Sequence, residues 1–223
     1  MTDSSLAEMT FAVLGGTGPQ GRGLARRFAA AGLSVVIGSR VAKNAEQVAA
    51  EISEATGAEV SGASNAQAAK AADVVLIVVP WEGHADLLGQ LKGQLGGKVV
   101  VDCVNPLGFD RHGAFALRVE EGSATEQAAV ILTESTVVGA FHNVSAALLN
   151  DPDVNSVDTD VLVLGDDRAA TDMVQALADT VPGVRGVYGG RLRNAHQVEA
   201  LTANLISVNR RYKAHSGVRV TDV

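Results

Sequence analysis

Two groups of residues in this sequence have the types and spacing to do chemistry. The first is the turn GGTGPQG, where Gly16, Gly18 and Gly21 form the pattern G-x-G-x-x-G. It follows the apolar run FAVL and opens a stretch of helical spacing, the context that a phosphate-binding turn requires. Gly16 permits the tight turn, Gly18 lets backbone approach a pyrophosphate, and Gly21 lets helix pack against strand. Thr17, Pro19 and Gln20 complete the turn, and the helix start supplies free N–H groups and a positive dipole end. The second group is Ser39 and Arg40, which end the run LSVVIGSR. Arg40 lies nineteen residues beyond Gly21 (40 − 21), close to the roughly twenty at which NAD-binding chains carry an acid on the ribose. An acid repels a 2′-phosphate, whereas a hydroxyl and a guanidinium bind it through charge-assisted hydrogen bonds. Lys43 and Asn44, one helical turn on, can add to that grip. The spacing points to NADP rather than NAD.

These residues need a scaffold, and the hydrophobic pattern supplies one. Strands are expected at Met9–Gly16, Leu33–Ser39, Asp73–Pro80, Gly97–Pro106, Ser135–His142, Val161–Gly165 and, briefly, Gly186–Gly190. Helical stretches fall between them, with Ser123 and Thr125 both plausible caps for one, and a long helix starts near Arg191. Strands alternating with helices give an α/β fold, a Rossmann-type doubly wound and mainly parallel sheet. A small C-terminal α/β extension ends in the long helix. The turn-rich loop DPDVNSVDTD suggests a seam, so three regions are expected: a disordered leader 1–9, an NADP-binding domain 10–150 and a smaller C-terminal region 151–223. Such a fold lines its ligand along the carboxyl ends of its strands. That edge gathers the glycine turn, Ser39–Arg40, Val79-Pro80-Trp81, Asn105-Pro106 and Phe141-His142-Asn143. Pro80 and the chain's one tryptophan, Trp81, would wall the nicotinamide, with Asn105 and Ala146 nearby.

Bulk composition narrows the classes. The 223 residues are 47% apolar and 19% charged, as in an ordinary globular protein. The net charge of −7 argues against a general nucleic-acid binder. Residues 185–219 nevertheless hold seven Lys or Arg and one acid, Glu199, either a solvated face or a docking edge for an anion. The polar start is no signal peptide, and the longest apolar run, Val74 to Trp81, is too short to span a bilayer. A lone Cys103 rules out an internal disulfide framework and fits a cytoplasmic protein. No metal site is expected: His196 and Glu199 sit three apart on a helix, but no second pair of ligands accompanies them. His84 reads as a surface or capping residue. His142 ends a strand at the site edge, where it could bond a substrate ring or shuttle a proton.

The segments VLGGTGPQGRGLARRFAAAG, IGSR, VVPW, HNVSAALLN and NAHQVEALTANLISVNRR together resemble the coenzyme F420-dependent NADP reductases. The resemblance runs from about Phe11 to Arg219. It implies an enzyme that passes a hydride between NADPH and the deazaflavin coenzyme F420, and the charge and the short apolar runs add that neither a nucleic acid nor a membrane is an expected partner. It puts Thr17, Gly18, Pro19 and Gln20 on the pyrophosphate, and Ser39 and Arg40 on the 2′-phosphate. It puts Val79, Asn105 and Ala146 near the nicotinamide and Val218 at the far rim. His142 and Thr202 match positions that hold the deazaflavin. His196 and Ala200 stand where relatives can carry Arg and Ser, which leaves the contacts of that helix open. Direct hydride transfer rests on stacked rings and excluded water, so the lack of a nucleophilic triad is expected.

Two other readings share these residues. One is an NADP-dependent imine or β-hydroxyacid reductase of the same fold. Such chains usually carry a longer helical C-terminal domain, and the hydroxyacid type wants a C-terminal general-acid Lys, for which only Lys213 is available. The other is a non-catalytic NADP-binding redox sensor, against which Pro80, Trp81 and His142 count. A homodimer through the C-terminal helix completes the expectation.

Overall fold

The computed structural model describes residues 4–223. Its centre is an eight-stranded sheet in the order β10-β9-β8-β5-β4-β1-β2-β3. The strands are β1 (Thr10–Leu14), β2 (Ser34–Ser39), β3 (Val60–Ser64), β4 (Val74–Ile77), β5 (Val99–Asp102), β8 (Thr136–Gly139), β9 (Thr159–Gly165) and β10 (Val184–Gly190). A separate hairpin pairs β6 (Leu107–Asp110) with β7 (Gly113–Ala116). The helices are α1 (Ser4–Ala7), α2 (Pro19–Ala30), α3 (Ala42–Thr56), α4 (Asn65–Ala71), α5 (His84–Leu95), α6 (Ala124–Ile131), α7 (Ala146–Asn150), α8 (Arg168–Asp179) and α9 (Ala195–Tyr212).

Side-chain alternation along the strands splits the core into two layers. Phe11 and Val13 of β1 and Val74 and Leu76 of β4 face Leu24, Phe28, Val48 and Ile52 of α2 and α3. Ala12, Leu14, Val75 and Ile77 face Leu88, Leu91 and Leu95 of α5 and the small residues of α4 and α6. Both faces are covered, which is why these strands read as continuous apolar runs.

Three expectations need correction. The leader expected over 1–9 is partly helical: α1 covers Ser4–Ala7 and Leu6 is buried in the core, while residues 1–3 lie outside the described residues. Residues 151–158 do not separate one core from another. β9 and β10 extend the same sheet, and Val157, Val161, Val163 and Val174 share one apolar cluster with Phe11 and Phe28. β9 runs antiparallel to β8, pairing Val138 with Gly165, so the sheet is parallel except at this step. The basic segment also proves less free than its composition implies. Arg185 and Arg219 are committed to the fully buried carboxylate of Asp160, and Arg219 also to Asp158. Arg191 lies 3.7 Å from Asp166.

Candidate functional site

Chain crossovers leave β1 in opposite directions, toward β2 and toward β4, and this switch point opens a crevice at the carboxyl edge. The β1–α2 turn lines it. The N–H groups of Gly15 and Gly16 both donate to the Gly38 carbonyl at 3.1 Å, which ties the turn to the end of β2. Gly15 has φ +76°, and a Cβ there would stand 2.3 Å from the Val78 carbonyl oxygen. The sharpest constraint in the turn thus falls on Gly15, which the G-x-G-x-x-G reading passed over; the doubled glycine was its only signal. A Cβ on Gly21 would lie 2.8 Å from the Gly15 carbonyl, the close helix approach expected.

Gly18 is different, because a Cβ there meets its nearest protein atom at 3.4 Å. Packing does not demand a glycine at this position, which leaves its open side free for the close approach of a ligand. Gly18 also starts α2 without a side-chain cap, so the first N–H groups of the helix are left for an anion. These features fit a pyrophosphate. Gln20 turns its amide away, donating to the Phe141 carbonyl at 2.7 Å. Thr17, Pro19 and Ala146 line a cavity of about 790 Å³ between α2, α3 and α7, beside the crevice rather than over it.

At the end of β2, Ser39 is buried and Arg40 exposed, with Lys43 and Asn44 exposed in the first turn of α3. Neither Arg40 nor Lys43 has an ion-pair partner among the described residues, so two free cations stand where NAD-binding chains place an acid. Asn65, which sequence reasoning missed, lies beside them at the start of α4, its buried Oδ1 without a partner. Its nearest signal was the Ser64–Gln67 capping box that encloses it.

The other half of the edge holds Val79, Pro80, Trp81 and Asn105, just past the ends of β4 and β5, while Ala146 at the start of α7 stays with the cavity beside α2. Trp81 is half-buried and stacks on His84, with ring centroids 5.6 Å apart and planes at 30°. His84 is no surface residue: it is fully buried, with Nε2 2.6 Å from Asp102 Oδ2 and Nδ1 3.0 Å from Gln127 Oε1. Asn105 donates Nδ2 to the His142 carbonyl at 2.9 Å, and its Oδ1 is buried without a partner. An unpaired buried acceptor at this edge fits a ligand donor such as a carboxamide.

His142 departs from expectation. Phe141 takes φ +63°, rare for a non-glycine residue, and the chain bends sharply as it leaves β8. The His142 side chain ends inside, fully inaccessible, with both ring nitrogens unpaired among the described residues. Burial pulls its pKa down to about 4, against the opposing charge of Asp102, so the ring is neutral at pH 7. It can neither touch a substrate nor pass a proton to one from this position. Its carbonyl carries the contacts instead, accepting from Asn105 and, at 3.1 Å, from Thr202 Oγ1 of α9. Thr202 also accepts from Asn143 Nδ2 at 2.9 Å.

Glu199 Oε1 stands 4.0 Å from His142 Nε2, too far for a hydrogen bond. This buried carboxylate accepts from the N–H groups of Ala124 (2.9 Å) and Thr125 (3.0 Å) at the start of α6. Burial raises its pKa to about 7 even though those hydrogen bonds oppose the shift. His196, three residues before it, is exposed, so the two do not share a site. No cluster of three metal-binding side chains occurs among the described residues. Val218 sits by β9, its carbonyl accepting from the Asp160 N–H at 2.7 Å.

Residues 10–106 match the family described as NADP oxidoreductase, coenzyme F420-dependent. The chain is 40% identical to the F420-dependent NADP reductase of Methanothermobacter thermautotrophicus over 96% of each chain. It is equally similar to the enzyme of that name from Methanocaldococcus jannaschii, covering 99% of it. A solved structure from Arthrobacter sp. FB24, whose description proposes an F420-dependent NADP reductase, superposes with a TM-score of 0.77 at 27% identity, covering 94% of this chain and 97% of that one. Near-complete coverage at this identity, on a glycine turn with an uncapped helix start, decides the matter: the chain belongs to the F420-dependent NADP reductase family.

Proposed function

We propose that this protein transfers a hydride directly between NADP(H) and the deazaflavin coenzyme F420. The observation that carries the reading is 40% identity over nearly the whole length to reductases of that name. The open Gly18 turn and the free Arg40 and Lys43 support it. The nicotinamide and deazaflavin rings supply the hydride chemistry when bound; the protein orients them and excludes water. The turn Gly16, Thr17, Gly18, Pro19 and Gln20 cradles the pyrophosphate with backbone at the uncapped start of α2, Gln20 through its main chain rather than its amide, and Ser39, Arg40, Lys43 and Asn44 hold the 2′-phosphate. Pro80 and Trp81 wall the nicotinamide, with Val79, Asn105 and Ala146 near it. Thr202 shapes the deazaflavin side through the His142 carbonyl, with Val218 at the far rim. Residues 10–150 carry the NADP site, and residues 151–223 complete the deazaflavin side.

The same reading includes a homodimer. Phe109 and Phe115 of the hairpin and Val208 and Tyr212 of α9 are large exposed apolar residues, a composition that suits a subunit contact. No helix among the described residues is long and apolar enough to cross a membrane. The buried thiol of Cys103, its pKa raised by burial and then by Asp102, suits a reducing cytoplasm. Mixing the protein with oxidised F420 and NADPH, and following loss of the deazaflavin's visible absorbance, tests the function. Rapid bleaching is expected with NADPH and little with NADH. Tight NADPH binding without bleaching would overturn the reading.

A further inference from the structure

The buried pair His84–Asp102 is not among the residues assigned to either coenzyme, yet it lies beneath those assigned to the nicotinamide. His84 opens α5, where the helix dipole disfavours a cation. The geometry makes it one all the same. Asp102 accepts at Nε2, and at Nδ1 the Gln127 carboxamide turns its oxygen inward. That orientation is fixed, because Gln127 Nε2 donates to Glu121 Oε2 at 3.2 Å and a carboxylate can only accept. Both ring nitrogens therefore face acceptors, and both carry hydrogen. Burial opposes the charge, but the charge and hydrogen bond of Asp102 and the bond from Gln127 outweigh it, so the pKa is raised above the ordinary value.

The pair also joins the exits of two strands. His84 stands under Trp81, which leaves β4, at a distance suited to a cation on an indole face. Asp102 ends β5, and its Oδ1 accepts from the Val104 N–H at 3.0 Å, shaping the turn that delivers Asn105. Asn105 in turn holds the His142 carbonyl at the end of β8. One buried ion pair thus sets the plane of Trp81 and the placement of Asn105 together.

We propose that His84 and Asp102 are positioning residues for hydride transfer, fixing Trp81 and Asn105 as one unit around the nicotinamide face. The inference rests on the proposed function. A buried ion pair is commonly replaceable by neutral residues without loss of stability, whereas removing one partner strands a charge. The double variant H84Q/D102N is therefore the informative one. Misplacement of a substrate by about 1 Å can cost on the order of 100-fold in rate. We expect the folded double variant to keep its NADPH KM within about twofold while kcat falls at least about tenfold.

A second readout needs no turnover. Trp81 is the sole tryptophan, and a protonated imidazole quenches an indole stacked on it. The charged groups acting on His84 are Asp102 of β5 and Glu199 of α9, with Glu121 ahead of α6 reaching it only through Gln127. In the wild type, emission should rise with pH as His84 deprotonates, and kcat should fall over the same midpoint. In H84Q/D102N the emission should no longer titrate there. A folded double variant with unchanged kcat overturns the proposal. If that variant does not fold, the wild-type titration decides: coincident midpoints support it, while flat emission, or kcat level through the emission midpoint, overturns it. Failure of the wild type to reduce F420 would instead fall on the functional reading, with the emission titration still reporting whether His84 is charged under Trp81.

Discussion

At the scale of single residues, Arg40 and the glycines make the sharpest claims. Arg40 is exposed and unpaired, so Arg40→Ala should remove a charge-assisted contact and little else. The KM for NADPH should rise about tenfold or more, roughly 1.4 kcal/mol, with the KM for NADH nearly unmoved. Equal rises would show that Arg40 does not read the 2′-phosphate. Gly15 and Gly18, three apart, should fail in different ways. Gly15→Ala forces a side chain into the left-handed region against the Val78 carbonyl and should cost more than about 2 kcal/mol in thermal unfolding. Gly18→Ala has room at 3.4 Å, so stability should hold while NADPH binding weakens. Matching melting curves for the two would refute this division. Ser39, Arg40 and the glycine turn were legible in the sequence because each is a short local run with a fixed offset. His84 was not: its partners lie eighteen and forty-three residues away, Asp102 brought to it by the pairing of β4 with β5 and Gln127 by the packing of α6 against α5.

At the scale of elements, apolar runs revealed the central strands, because burial on both faces writes itself into composition. The strand β3, VSGAS, escaped notice because it is an edge strand of small polar residues, with Gly62 forced by the α3 backbone, 2.3 Å from where a Cβ would stand. The hairpin LGFD–GAFA is too short and too exposed to alternate clearly. Direction is also invisible in a buried strand, so nothing in VLVLG announced that β9 opposes β8. What β9 does carry is Asp160, fully buried, with its pKa held below the ordinary carboxylate range chiefly by its hydrogen bond to Arg185, with Val220 and Arg219 adding to the effect against burial. This clamp joins β9, β10 and the tail residues 218–220. Asp160→Asn should therefore cost about 2 kcal/mol and loosen the tail. Hydrogen exchange at Val220, whose N–H donates to Asp160 at 2.7 Å, should accelerate more than exchange at Val13 in β1. Unchanged protection at Val220 would mean the clamp is not what holds the tail.

At the scale of the whole molecule, four buried groups shape stability against pH, and two of them oppose each other. His142 has a folded pKa of about 4 against an ordinary 6.5, so the unfolded chain binds more protons between those values and stability rises with pH there. Glu199 is the reverse: its folded pKa is about 7 against 4.5, so stability falls as pH rises through that window. The two windows overlap between pH 4.5 and 6.5, where unfolding takes up one proton at His142 and releases one at Glu199, so their slopes oppose each other there and leave a plateau. Below it, Asp160 loses its contribution as pH falls under the ordinary carboxylate value. Above pH 6.5, His84 loses its contribution as pH climbs through its raised pKa. Thermal unfolding should therefore show a mildly acidic plateau, with Tm falling on both sides. Glu199→Gln tests the cancellation directly, whatever it does to absolute stability. With the opposing slope removed, Tm should climb from pH 4.5 to 6.5 as His142 in the unfolded chain sheds its proton while the folded ring stays neutral, by an amount equivalent to about 3 kcal/mol. A flat profile in that variant would mean that His142 is not held neutral in the folded protein, and that the inward turn at Phe141 does not bury it as described.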